Sequence, residues 1–149
     1  MNWDLPNPHI LPLTIGADAI DHYGHVNNAE YLRFIEQVSW QHSQSLGLTL
    51  DDYRRLDRAM VVVRHELDYL APAYEGDQLE MATWIVDSDQ RLTLTRRFQL
   101  LRLSDARTLL KGRTRFACVS LQNHRPRRLP KEFLNVYLPA LVAESEIKS

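Results

Sequence analysis

NNAEYLRFIEQVSWQHSQSLG, residues 27–47, decides the fold. Tyr31, Phe34, Ile35, Val38, His42 and Leu46 recur at three- and four-residue spacing, an apolar stripe along about five turns of helix. Gly47 stands where a C-terminal cap belongs. At the other end Asn27 can accept from the amides ahead of it, and Glu30 can return the bond as in a capping box. Thr49 with Asp52 repeats this logic for a short second helix whose apolar face is Tyr53 and Leu56.

Outward from the helix the period falls to two. Upstream, ILPLTIG (residues 10–16) alternates but contains Pro12, which lacks the N–H a central ladder uses and so marks an edge strand. Downstream, MVVVRHELDYL (60–70) places Val61, Val63, His65, Leu67 and Tyr69 on one face, with Arg64 on the other. Three more strands follow, LEMATWIVD (79–87), RLTLTRRFQLLRL (91–103) and LLKGRTRFACVSLQ (109–122), joined by short turns, which implies an antiparallel sheet. A short helix is expected around Phe133–Leu138, then a frayed C-terminal tail. One apolar-faced helix and five strands bury each other most economically as a curved antiparallel sheet wrapped around the helix, an α+β single domain over residues 1–149 with its core at about 8–138. The outer strand edges stay unpaired, which favours dimerisation by sheet extension.

The bulk numbers exclude several classes. Hydrophobic residues at 44% and charged residues at 25% suit a globular domain. No apolar run reaches the roughly 18 residues of a membrane span, and the start lacks the pattern of a secretory signal, so the expected location is cytoplasmic. A single cysteine, Cys118, excludes an internal disulfide and reads as a small buried hydrophobe. The net charge of −1 divides into −6 over residues 1–75 (5 basic, 11 acidic) and +5 over residues 76–149 (13 basic, 8 acidic). Most of the cations are arginines, whose planar fork suits phosphate, which points to a phosphate-bearing small molecule rather than nucleic acid.

The stretch before the helix, DAIDHYGHVNN (18–28), holds more hydrogen-bonding groups than capping needs. A helix start presents unpaired amides and partial positive charge, where a carbonyl oxygen acquiring negative charge is stabilised. Asp21, six residues before Asn27, can attack such a carbonyl or deprotonate a water that does, and Gly24 lets backbone approach a ligand. Together these describe hydrolysis of an activated acyl group. His25 can bond the substrate or orient Asp21. The set Asp18, Asp21, His22 and His25 also contains metal-ligand types, but short loop spacing alone is weak support for a metal site. Arg125, Arg127 and Arg128 form a basic cluster after the last strand, either solvated or in contact with phosphate.

The run Asp21-His-Tyr-Gly-His-Val-Asn-Asn28-x-x-Tyr31, followed by Glu36, resembles the signature of hotdog-fold acyl-CoA thioesterases of the 4-hydroxybenzoyl-CoA thioesterase type, especially the branch of bacterial long-chain acyl-CoA thioesterases. AMVVVRHELDYLAPAYEGDQLEM (59–81) and FACVSLQNHRPRRLP (116–130) extend the resemblance to about residues 8–135. It implies a hotdog fold and hydrolysis of acyl-CoA, within fatty acid metabolism, to free acid and CoA. Asp21 would be nucleophile or general base, and the main-chain amide of Asn28 would polarise the carbonyl. Gly24, Asn27 and Tyr31 would flank the substrate, and basic groups such as Arg125, Arg127 and Arg128 would hold the CoA phosphates near a subunit interface. The resemblance further implies a homodimer or dimer of dimers, with no metal or redox cofactor and no membrane or nucleic-acid partner. Glu36 occupies the helix position at which other hotdog branches keep a catalytic carboxylate. The His-Val-Asn-Asn tetrapeptide also occurs in plant acyl-ACP thioesterases, so an acyl-ACP substrate is the alternative, and a non-catalytic acyl-CoA binding protein is a further one.

Overall fold

The computed structural model describes residues 2–147. Strand β1 (His9–Thr14) leads through a 3₁₀ turn (Ala17–Ala19) to α1 (Asn28–Ser45) and the short α2 (Leu50–Arg55). Four strands follow, β2 (Ala59–Tyr69), β3 (Gln78–Asp87), β4 (Thr93–Arg102) and β5 (Arg107–Val119), then α3 (Lys131–Tyr137) and a 3₁₀ turn (Glu144–Glu146). The strands form one sheet in the order β1-β3-β4-β5-β2, every neighbour antiparallel. Tyr31, Phe34, Ile35 and Val38 of α1 bury themselves against Met81, Phe98, Leu100 and Leu110 of the sheet. This is the expected α+β architecture, with β1 and β2 as its two edges.

The helix ends follow the sequence with one correction. Gly47, at a φ of 101°, and Leu48 donate back to the carbonyls of Gln44 and Ser43, the double bond that closes a helix through a left-handed glycine. Asn27 Oδ1 accepts from the Ala29 N–H at 3.0 Å, as expected of the cap. Glu30 does not complete a capping box, because the Asn27 N–H already donates to Ala19 O at 2.8 Å. Glu30 instead faces Arg33 at 3.7 Å. Thr49 and Asp52 do form the reciprocal box at the start of α2.

Strand β2 departs from a simple alternation. The register with β5 shifts between Val62 and Arg64, so Val63 is a bulge. Beyond it His65, Leu67 and Tyr69 face inward as expected. Before it the inward pair is Met60 and Val62, which line the space under α1, rather than Val61 and Val63. Cys118 is buried in a second cluster with Tyr53, Phe133 and Tyr137, where burial pushes its thiol pKa up.

The chain after α3 is not frayed up to residue 147. Val142 donates to Ile85 O at 2.8 Å, and Val142 and Ile147 pack on Trp84 and its neighbours across the outer face of the sheet. Residues 148 and 149 lie outside the described residues. Glu144 clamps this segment through Arg97 Nε at 2.6 Å and Arg113 Nη2 at 2.9 Å. Hydrogen bonds to these two guanidinium groups hold the Glu144 carboxyl below the ordinary range. A depressed carboxyl contributes stability above its unfolded pKa, about 4.3, and loses it as pH falls through the lower folded value. Glu144→Gln should therefore cost about 1–2 kcal/mol at pH 7, a melting temperature lower by about 3–6 °C. The gap to wild type should close below about pH 4. Thermal scans of both proteins from pH 3 to pH 8 check this; a gap independent of pH rules out the ion pairs as its source.

Candidate active site

The loop from Ile20 to Asn27 is tied to the frame at several points. Ile20 bridges to Val26, the Asp21 N–H donates to His25 O at 2.7 Å, and the Val26 N–H donates to Ala73 O at 2.9 Å. The Gly24 N–H closes on the Asp21 carbonyl at 3.2 Å, and Gly24 has a φ of 80°, which glycine adopts without strain. Within this loop Asp21 is half-buried, and its Oδ1 accepts from the main-chain N–H groups of Tyr23 at 2.9 Å and His25 at 3.2 Å. Its Oδ2 has no partner among the described residues. One carboxylate oxygen is thus anchored and the other available.

The structure brings Asp21, Gly24, His25, Asn27 and Asn28 into this one loop and helix start. His25 engages Asp21 through its main chain, while its ring lies edge-on to Tyr74 with centroids 5.3 Å apart. Asn27 is the cap, and Asn28 is the first helical residue, whose N–H has no carbonyl one turn back to receive it. Tyr31 is buried against Phe34 and Tyr69. Burial raises its hydroxyl pKa, and the nearby Tyr69 and Asp21 add to the shift.

The basic cluster lies elsewhere in the chain. Pro126 bridges to Val119 at the C-terminal end of β5, whereas the Asp21 loop contacts Ala73, beyond the C-terminal end of β2. Those two strand ends are at opposite ends of the sheet, since Ala59 of β2 pairs with Val119 and Tyr69 with Leu110. Arg127 is held by Asp57 at 2.7 Å, while Arg125 and Arg128 are exposed.

A cavity of about 340 Å³ lies between α1 and the inner face of the sheet, and what sequence reasoning missed is its polar buried end. Leu32, Glu36 and Val62 stand at its exposed mouth; Ser43, Tyr53, Arg96 and Tyr137 form its buried end. His42, counted in the apolar stripe, is instead bonded through Nδ1 to Arg96 Nη1 at 2.8 Å and stacked on His9 at 4.8 Å. The readable signal was Arg96 itself, a charged residue at an inward position of β4 between Leu94 and Phe98. His65 lines the same cavity, with Nδ1 2.8 Å from Thr114 Oγ1, and Arg64 points away to Glu66.

A family model described as the thioesterase-like superfamily matches residues 15–136. Among solved structures, a Staphylococcus aureus protein in complex with CoA superposes with a TM-score of 0.82 at 19% identity, covering 95% of this chain and 90% of that one. A 1,4-dihydroxy-2-naphthoyl-CoA thioesterase from Synechocystis gives 0.79 at 19% identity over 89% and 96%. A 12:0-ACP thioesterase from Umbellularia californica gives 0.79 at 18% identity over 95% and 58%. At these identities the three show a shared fold. The family match runs from just after β1 through the Asp21 loop and the whole sheet into α3, and on it the chain belongs to the thioesterase-like superfamily, thioester hydrolases of hotdog fold.

Proposed function

We propose that the chain is an acyl-CoA thioesterase in which Asp21 activates water and the N-terminus of α1 stabilises the oxyanion. The observation that carries this is the divided carboxylate of Asp21, anchored by two amides through Oδ1 and open at Oδ2, in the loop that runs into α1. In the reaction Oδ2 takes a proton as water oxygen bonds to the thioester carbon, and the Asn28 N–H donates a hydrogen bond to the carbonyl oxygen as it becomes negative. Collapse breaks the C–S bond, and the departing CoA thiolate takes the proton held on Oδ2. In the nucleophilic variant Oδ2 itself bonds to the carbon and the C–S bond breaks, releasing the CoA thiolate and leaving a mixed anhydride; water then opens the anhydride, its hydroxyl going to the acyl carbon and its proton to the thiolate, and Asp21 is freed as the carboxylate. Neither route calls for a metal or redox cofactor. CoA is favoured over acyl carrier protein as the thiol by the arginine-rich second half of the chain.

The active unit in this reading is a dimer paired through β2. That edge is 11 residues long and exposes Val61, Val62, Val63 and Tyr69. An antiparallel pairing of two β2 edges sets the Asp21 end of one copy beside the Arg125–Arg128 end of the other, which unites carboxylate and phosphate-binding groups that a single chain keeps apart. The test is thiol release from lauroyl-CoA and from lauroyl-acyl carrier protein, with mass measured in solution. We expect a dimer and a kcat/KM at least about tenfold higher on CoA. Faster turnover on the protein carrier would reverse the assignment of the thiol. Tight binding of acyl-CoA with no thiol released would make the chain a binding protein.

A further inference from the structure

We propose that the cavity beneath α1 receives the acyl part of the substrate, and that this acyl group carries a second, distal carboxylate bound by Arg96. The acyl assignment rests on the hydrolase reading above; the carboxylate rests on Arg96 alone.

Arg96 is 3% exposed, on the inner face of β4. A buried charge persists when it is paired and hydrogen-bonded. Here the hydrogen bonds are present and the pairing charge is not. Arg96 Nη1 bonds to His42 Nδ1 at 2.8 Å and Nη2 donates to Ser43 Oγ at 3.1 Å. Burial, Arg96 and the stacked His9 push the His42 pKa down to about 3, so its ring is neutral at ordinary pH. The hydroxyls of Tyr53 and Tyr137 bond to each other at 2.5 Å, and burial pushes Tyr53 far above the usual phenol range, which keeps it protonated. None of the ion pairs among the described residues includes Arg96, whereas Arg97, next in sequence on the opposite face, is paired with Glu144. Among the described residues the one acid lining the cavity, Glu36, stands exposed at the mouth and belongs to none of those ion pairs.

The cation also belongs to a polar row. Arg96 and His65 both pair in register with Thr114, so three polar side chains cross the inner face from β4 to the β2 edge. The rest of the lining is mostly apolar, with Ile35, Trp40, Met60, Leu94 and Phe116 beside Ser39 and His65. A mostly apolar passage ending in a guanidinium with no counter-ion among the described residues matches an acyl chain with a terminal carboxylate, whose two oxygens fit the arginine fork.

The test compares thiol release from octanoyl-CoA with suberoyl-CoA and from lauroyl-CoA with dodecanedioyl-CoA, and measures calorimetric binding of free laurate and dodecanedioate to the whole protein. The diacid member of at least one ester pair should be preferred by about 10- to 100-fold in kcat/KM, mainly through KM, and dodecanedioate should bind more tightly than laurate by a similar factor. Arg96→Met should abolish both preferences and Arg96→Lys should restore part of them. A wild-type enzyme that favours the plain chain at both lengths overturns the proposal without any variant. So does a diacid preference that survives Arg96→Met, or laurate binding as tightly as dodecanedioate. The binding arm needs no hydrolysis: Arg96-dependent diacid binding without thiol release would remove the hydrolase reading and leave the carboxylate site standing.

Discussion

Asp21→Asn lowers kcat/KM for thioester hydrolysis by at least about a hundredfold, while the melting temperature stays within about 2 °C of wild type. The two outcomes separate because the two carboxylate oxygens have separate tasks. An asparagine Oδ1 still accepts from the amides of Tyr23 and His25, so the turn around Gly24 keeps its anchor. What disappears is the anionic Oδ2, replaced by an amide nitrogen that neither takes a proton nor attacks a carbonyl. General-base action alone is worth about 10²–10⁴ in rate, which sets the lower limit of the loss. Asp21→Ala should lose similar activity and also loosen the loop, seen as faster amide exchange at Tyr23 and His25. Asn28→Ala should be mild, since its main-chain N–H is the group the mechanism uses. A steady-state assay of Asp21→Asn within a few-fold of wild type would remove Asp21 from the chemistry, and Glu36 at the cavity mouth would become the carboxylate to test next.

How much of this was legible in the sequence follows from how far each interaction reaches along the chain. The α1 stripe, the Asn27 cap, the Gly47 stop and the Thr49–Asp52 box are contacts within about one turn of helix, and periodicity exposes them. The Asp21 loop was legible for the same reason, because its carboxylate bonds residues two and four positions on. The bulge at Val63 was not, since an unbroken valine run carries no mark of where a partner strand slips by one residue. Glu30 failed as half of a capping box because its intended donor, the Asn27 N–H, was taken by Ala19 O, eight residues upstream of Asn27 and visible only once the loop folds back. The polar end of the cavity was the largest omission. It is assembled from α1, α2, β4 and α3, through side chains such as Ser43 and Tyr137 that meet across 94 residues. Strand β3 shows the same limit differently: LEMATWIVD reads as alternating, yet Ala82, Trp84 and Val86 are buried on the outer face as well. Covering of both faces turns an expected solvated side into core.

That covered outer face makes Trp84→Ala the most damaging single truncation we expect for stability, about 3–5 kcal/mol, a melting temperature lower by about 8–15 °C. Trp84 is 2% exposed, although its strand face would be wet in a sheet packed on one side only. Two segments distant in sequence bury it. From the N-terminus come Leu5, the Trp3 ring in an edge-to-face arrangement with centroids 6.3 Å apart, and Pro6 O, which accepts from the indole N–H at 2.9 Å; from the C-terminus come Val142 and Ile147. Removing the indole leaves a cavity that neither segment can fill, because Asp4 is tied to Lys111 and Glu144 to Arg97 and Arg113. Trp84→Phe keeps most of the apolar contact and loses the hydrogen bond, so it should cost about 1–2 kcal/mol. The Asp21 loop and the cavity lie on the other side of the sheet, so both variants should keep kcat within about twofold at 20 °C, well below their transitions. Calorimetry with limited proteolysis reads the result, the alanine variant being cut first near its two ends. A drop of less than about 3 °C would mean that the terminal segments only rest on the sheet, and the cost of uncovering β3 would have to be sought elsewhere.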